Sequence, residues 1–248
     1  MKHKFGWRGP EKKDKRDYHY RVTPKKLALV PKTTDLRKWC SAIEDQGNLG
    51  SCTANAGVAL EEYLMNRDKV DFKDMSRLFL YWWTRYIEGT TDEDSGAYIR
   101  DTVKAMAKYG VCKESTWPYV ISKYRTKPSN VAANEALEYQ ILKYERLTQS
   151  LDALKQCLGV DKRPVIFGFD VPASFESVPA NGIWNPKNGE EIIGGHAQVL
   201  VGYTGTRFIM RNSWGTSWGN KGYCTVPYSF ILSDKCADFW VVYTAEQM

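Results

Sequence analysis

Histidine is scarce in this chain and long apolar runs are missing, and these two features already narrow its chemistry. Of the three histidines, His3 and His19 fall in a basic N-terminal stretch, leaving His196 as the only imidazole in the rest of the chain. A body that uses a histidine base must use that one. No segment approaches the ~18 to 20 apolar residues of a membrane-spanning helix. The densest runs, 78–83 and 239–243, are only of core size. Cysteine is also thin: Cys40, Cys52, Cys112, Cys157, Cys224 and Cys236 in 248 residues fall far short of a disulfide scaffold. No close Cys/His spacing suggests zinc, so neither metal nor cofactor is expected. There is no internal repeat.

What is present is enough apolar sequence for one large domain or two small ones. The net charge of +6 is unevenly placed. Residues 1–26 hold ten Lys/Arg against three Asp/Glu, so the remainder of the chain is close to neutral. The basicity belongs to an arm, and nucleic acid is not favoured as a partner because no recognised binding module accompanies it. Phe5, Trp7, Tyr18 and Tyr20 equip the arm to pack along the body or its cleft, the alternatives being a solvated tail or contact with an anionic surface. The start has no apolar core of a secretory signal, so the expected location is the cytoplasm unless a leader has been removed.

Periodicity divides the body. Residues 52–66, 76–88 and 95–109 read as helices, with Ser76 and Ser95 near two starts and Gly89 and Gly110 as stops. A polar stretch at 122–135 and a short helix at 150–158, closed by Gly159, lead into strands at 164–171, 197–203, 207–212 and 239–243. Helices followed by strands predict an α+β protein of two lobes with a site in the cleft between them. The expected division is an arm at 1–34, a mainly helical lobe at 35–145 carrying Cys52, and a mainly β lobe at 146–248 carrying His196 and Asn212.

Cys52 follows a turn made by Gly47 and Gly50, with Ser51 as a natural cap, and so falls in the first turn of a helix. There the helix dipole stabilises a thiolate, and a nearby protonated histidine would lower the thiol pKa from ~8.5 to ~3.5–7.5. The other cysteines read as small buried hydrophobes, with a pair among them left open. His196 begins a hairpin whose turn centres on Gly205, which places Asn212 nearly opposite Gln198 and on the face of His196. Its amide oxygen could fix the tautomer of the ring and leave the other nitrogen for the thiol. Gln46, six residues before Cys52, could add a side-chain N–H to the backbone N–H of Cys52 where an oxyanion develops.

Gln46, the GSC at 50–52, the GHA at 195–197 and the NSWGTSWGNKGY at 212–223 resemble, in that order, the papain-like cysteine peptidases of the papain/cathepsin type. The resemblance covers about 35–242. It implies a papain-like two-lobed fold, a helical lobe facing an antiparallel, β-barrel-like one. It implies Cys52 as nucleophile, His196 as base and then acid, Asn212 as orienter and Gln46 as oxyanion donor. Trp214 would shelter the Asn212–His196 contact and wall the leaving-group side, while Gly96 and Gly195 would hold substrate backbone. The specificity pocket would lie near Gly96, Ala173, Gly194 and Gly195. Leu49 and Thr53 stand where the family usually has a cysteine and an aromatic, so one hallmark disulfide cannot form. The long pro-region is not seen, but a short segment carrying Phe5, Trp7 and the Arg16–Asp17–Tyr18 cluster could block the cleft as in a zymogen. The expected activity is that of a thiol endopeptidase, a monomer acting on peptides or proteins. A related transpeptidase, deamidase or exopeptidase, and a silent binding protein with a basic arm, are the alternatives.

Overall fold

The structure is a computed structural model that describes residues 3–12 and 14–244. After a short helix α1 (Pro24–Leu27) and a two-residue strand β1 (Thr34–Asp35), the chain builds α2 (Cys52–Asp68), α3 (Arg77–Glu88) and α4 (Ile99–Tyr109). It then forms α5 (Asn130–Ala136), β2 (Lys143–Arg146), α6 (Leu151–Gly159), β3 (Val165–Pro172), β4 (Ile192–Tyr203), β5 (Arg207–Arg211), β6 (Tyr223–Pro227), α7 (Tyr228–Ile231) and β7 (Cys236–Tyr243).

All strand pairs are antiparallel, in the order β2-β7-β3-β4-β5-β6. Among the described residues β2 and β6 do not pair with each other, so the sheet stays open rather than closing as a barrel. β4 is long enough to change neighbours: β3 pairs with it as far as Leu200, and β1 takes the same edge at Gly202 and Tyr203. The β4–β5 hairpin has the register that a turn centred on Gly205 requires, Val199 facing Arg211, and a bulge then shifts the pairs nearest the turn by one residue.

The helices begin where their first N–H groups find partners. The Ser76 side chain accepts from the Phe79 N–H at the start of α3, and Gly89 closes that helix in the left-handed region at φ 70°. α4 begins later than Ser95 suggests, because Gly96 has φ 70° and cannot open a right-handed turn. Its first N–H groups go to carboxylates distant in sequence, Tyr98 N–H to Glu88 and Arg100 N–H to Glu11. Gly159 lies inside α6 instead of closing it. All six cysteines are free, five of them buried, so no pair forms.

α2 is buried almost all round, from Cys52 through Met65, and closes in Glu61 and Glu62. Glu62 accepts the Met75 N–H at 3.0 Å, and burial pushes its carboxyl up to about 7. The folded chain therefore holds this proton more tightly than the unfolded one, and stability falls as pH rises from about 4.5 to 7, by about 3 kcal/mol for this group. Thermal midpoints taken at pH 5 and pH 8 should show the decline, and Glu62→Gln should flatten it; an unchanged slope in that variant refutes the assignment.

The main hydrophobic core is continuous from α2, α3 and α4 into the sheet. It includes two residues of the arm, Trp7 and Tyr20. The arm is thus packed on the body through Phe5, Trp7 and Tyr20, but Tyr18 is exposed, and the Arg16–Asp17–Tyr18 cluster does not enter the cleft: Arg16 pairs with Asp14, and Asp17 turns to Arg100 and Arg146.

Candidate active site

The turn before α2 is held by groups far away in sequence. The Gly50 N–H donates to the Asp94 carboxylate, which also accepts from Tyr81 Oη at 2.5 Å. Ser51 sits at the N-cap of α2 without accepting a backbone N–H of the helix; its hydroxyl instead meets Tyr119 Oη and accepts from the Asn55 side chain, one turn into α2. Cys52 follows with no exposed surface, and its sulfur accepts the Ala197 N–H at 3.4 Å. The thiol is thereby set against the residue next to His196.

His196 Nε2 lies 2.8 Å from Asn212 Oδ1, so the diagonal read from the hairpin closes into a hydrogen bond. Nδ1 has no hydrogen-bond partner among the described residues and is the nitrogen left over for a proton in transit. Phe169, Phe175 and Trp214 box the ring, with Trp214 4.9 Å away between centroids. Gln46 is fully buried. Its Oε1 accepts from Ser213 Oγ at 2.8 Å, which turns Nε2 outward. Asn212 and Ser213, neighbours in the chain, thus orient the histidine and the glutamine.

The cleft they line is occupied by the arm. Gln46 Nε2 donates to the Lys4 carbonyl at 2.9 Å, the place an oxyanion would take. His3 stacks on Trp214 at 4.8 Å, and the Phe5 ring lies edge-on to His196. The Gly195 carbonyl accepts from the Gly6 and Trp7 N–H groups, while the Ala97 N–H donates to the Gly6 carbonyl at 2.7 Å. The backbone contact expected at Gly96 is made by Ala97, one residue on, because the positive φ of Gly96 turns the chain; Gly96 itself is bare so that Gly6 can approach, a Cβ there falling 2.2 Å from the Gly6 carbonyl oxygen. The Trp7 indole lies on Gly168, where a Cβ would sit 2.2 Å from the ring, and donates Nε1–H to Asp238. Gly194 makes room for Phe5 in the same way. Ala173 is not part of this wall: it is exposed beyond the end of β3, paired with Glu191, so Gly168 and Asp238 replace it in the pocket.

Closure over the cleft sets the protonation states. Burial pushes the Cys52 thiol up to about 11, against the pull of N–H groups including those of Ala197 and Gly6. It lowers His196 to about 4, although Asn212 favours the charged ring. With the arm in place the pair is a neutral thiol and a neutral imidazole, in contrast to the lowered thiol pKa that the helix terminus alone suggests.

Sequence reasoning did not single out Ser213, Asp94, Tyr119, Gly168 or Asp238. A family model described as papain family cysteine protease matches residues 30–236. The chain belongs to the papain family of cysteine proteases. Within that family it is similar to the crystal structure of xylellain, a cysteine protease from Xylella fastidiosa, at 37% identity and a TM-score of 0.90 over 97% of this chain and 96% of the other. It is 41% identical over 215 residues to an uncharacterised peptidase C1-like protein of Acanthamoeba polyphaga mimivirus, covering 80% of this chain and 68% of that one. Papain from Carica papaya is 24% identical over 203 residues, 79% of this chain and 55% of papain's own length. A papain-family chain thus has its cleft filled by its own residues 3–8.

Proposed function

We propose that this papain-family chain is an endopeptidase held latent by its own N-terminal arm. The observation that carries the reading is the Lys4 carbonyl on the Gln46 amide, with the Gly6 N–H turned to the buried Cys52 thiol and the Phe5 ring against a His196–Asn212 pair. When the arm leaves, water and substrate reach the thiol and the imidazole regains its proton affinity. The Cys52 proton passes to His196 Nδ1, and the thiolate attacks the scissile carbonyl. The carbonyl oxygen takes up negative charge against Gln46 Nε2–H and the Cys52 N–H. His196 then gives its proton to the departing amine, leaving an acyl-enzyme. A water that loses its proton to His196 releases the acid and restores the thiol.

The arm survives in the cleft because it lies the wrong way round. A substrate's leaving group belongs against Trp214 and its acyl side against Gly195 and Ala97. The arm puts its N-terminal His3 on Trp214 and its later Trp7 beyond Gly195, the reverse polarity.

The test is alkylation by iodoacetamide and cleavage of an internally quenched peptide, by the full chain and by the full chain carrying Phe5→Ala and Trp7→Ala. Labelling mapped to Cys52 and hydrolysis, both much faster in the variant, are expected. A folded variant that neither labels at Cys52 nor cleaves overturns the proposal. In the same background Gln46→Ala should lower kcat by about 10²–10³, equivalent to ~3–4 kcal/mol, with KM nearly unchanged, since the amide meets charge that exists only in the transition state. A change confined to KM would refute that role.

A further inference from the structure

Beyond the Trp7 pocket the arm makes a second set of contacts that blocking the cleft does not require. Arg100, at the start of α4, and Arg146, at the end of β2, come from elements distant in sequence and converge there, their side chains only 11% and 15% exposed. Arg146 stacks on the Trp240 ring. From the arm, Glu11 accepts from Arg146 Nη2 at 2.7 Å and from the Arg100 backbone N–H. Asp17 accepts from Arg100 Nη2 at 2.6 Å and from Arg146 Nε at 3.0 Å. The body contributes one carboxylate, Asp238, 3.3 Å from Arg146 Nη1. Arg100 Nε lies 3.7 Å from Glu11 Oε2 and has no hydrogen-bond partner among the described residues. Beside these groups is a hollow of about 590 Å³ lined by Glu11, Asp17, Arg146 and Asp238 among others.

Two arginines therefore face three carboxylates while the arm is docked, and the arm supplies two of the three. Its departure leaves two guanidiniums and the N-terminus of α4 with Asp238 alone. Both guanidiniums lie over the Trp240 ring, Arg100 at 6.0 Å and Arg146 at 4.4 Å from its centroid, next to the pocket that the Trp7 indole vacates. We infer that Arg100 and Arg146 then form a subsite for acidic side chains of a peptide substrate, on the acyl side of the cleft. This rests on the peptidase reading and gives it a substrate class: peptides whose residues N-terminal to the cleaved bond include glutamate or aspartate. Planar guanidinium forks match carboxylates bidentately, and the helix terminus adds a backbone donor. Within the arm, burial and the neighbouring Asp238 push the Glu11 carboxyl above its ordinary range, against the pull of both arginines.

Two quenched peptides test this on the full chain carrying Phe5→Ala, Trp7→Ala, Glu11→Gln and Asp17→Asn, the last two so that the arm's own carboxylates do not occupy Arg146 and Arg100. They are identical except for three glutamates or three glutamines N-terminal to the residue that enters the Trp7 hollow. The expected result is a kcat/KM about tenfold higher for the glutamate peptide at low salt, and a smaller ratio at 0.5 M salt, where screening acts over only about 4 Å. Arg146→Gln and Arg100→Gln, made separately so that one misfolded variant does not decide the matter, should each bring the ratio close to one. Equal cleavage of the two peptides, or a preference untouched by both substitutions, overturns the inference. Binding of the same two peptides to the Cys52→Ala form of this background, read by fluorescence anisotropy, separates the two claims. Selective binding of the glutamate peptide supports the subsite even if hydrolysis fails, and equal binding refutes it whatever the catalytic result.

Discussion

Replacing Phe5 and Trp7 with alanine is expected to raise the rate of Cys52 alkylation, and of peptide cleavage, by about two to three orders of magnitude at pH 7. Trp7 is buried against Gly168 and donates to Asp238, and removing a buried tryptophan side chain costs ~3–5 kcal/mol of whatever state buries it. Here that state is the docked arm, so the loss appears as a shift toward the open cleft, limited by the original ratio of docked to open forms. The chemical contrast is as large. A thiol held at about 11 is roughly one part in 10⁴ ionised at pH 7, whereas one paired with an imidazolium in an open cleft is largely thiolate. Alkylation followed by mass mapping measures the change directly. A rate at Cys52 that does not move would mean that the arm is not what keeps the thiol unreactive.

In that activated background Cys52→Ala should lower kcat by about 10⁵–10⁶, and His196→Ala by nearly as much. The double variant should lose no more than the worse single one, because nucleophile and base act in the same steps. Additive losses from the two substitutions would show them serving separate functions and would sink the assignment of a pair. The residual rate over water in both would come from the oxyanion donors Gln46 and the Cys52 N–H, which either substitution leaves in place.

The residues that converge at the candidate site were legible because each has a local signature: a thiol at a helix start, a histidine and an asparagine at matching positions of one hairpin, a glutamine a short turn away. Strands and helices with strong apolar patterns were legible for the same reason. β2 was not, since Lys143–Arg146 is half-exposed throughout and reads as polar, nor was β6, whose alternation is short. The start of α4 was misplaced because its partners are Glu88 and Glu11, ten and 89 residues from the N–H groups they accept, and no window of sequence shows such a cap. Ser213 and Asp94 escaped for that reason too. Each positions a catalytic element through a single side-chain contact with a distant turn. In the arm the aromatics advertised a docking segment, but Glu11 is an ordinary acidic residue until Arg100 and Arg146 converge on it.

The arm has a second point of attachment. Behind the plug, the Tyr20 hydroxyl accepts from Gln156 Nε2, and the Thr23 N–H donates to Gln156 Oε1, fixing the chain on α6. A plug that leaves the cleft while this mooring holds stays on a leash of about ten residues, at an effective concentration in the millimolar range. The intact chain should therefore respond like an enzyme carrying its own competitive inhibitor. Substrate must outbid a ligand that cannot be diluted away, and activity should not rise on dilution. A single backbone cut between Glu11 and Tyr20 converts that leash into a free peptide, which dilution removes, so one nick at the surface turns a reversible brake into a permanent release.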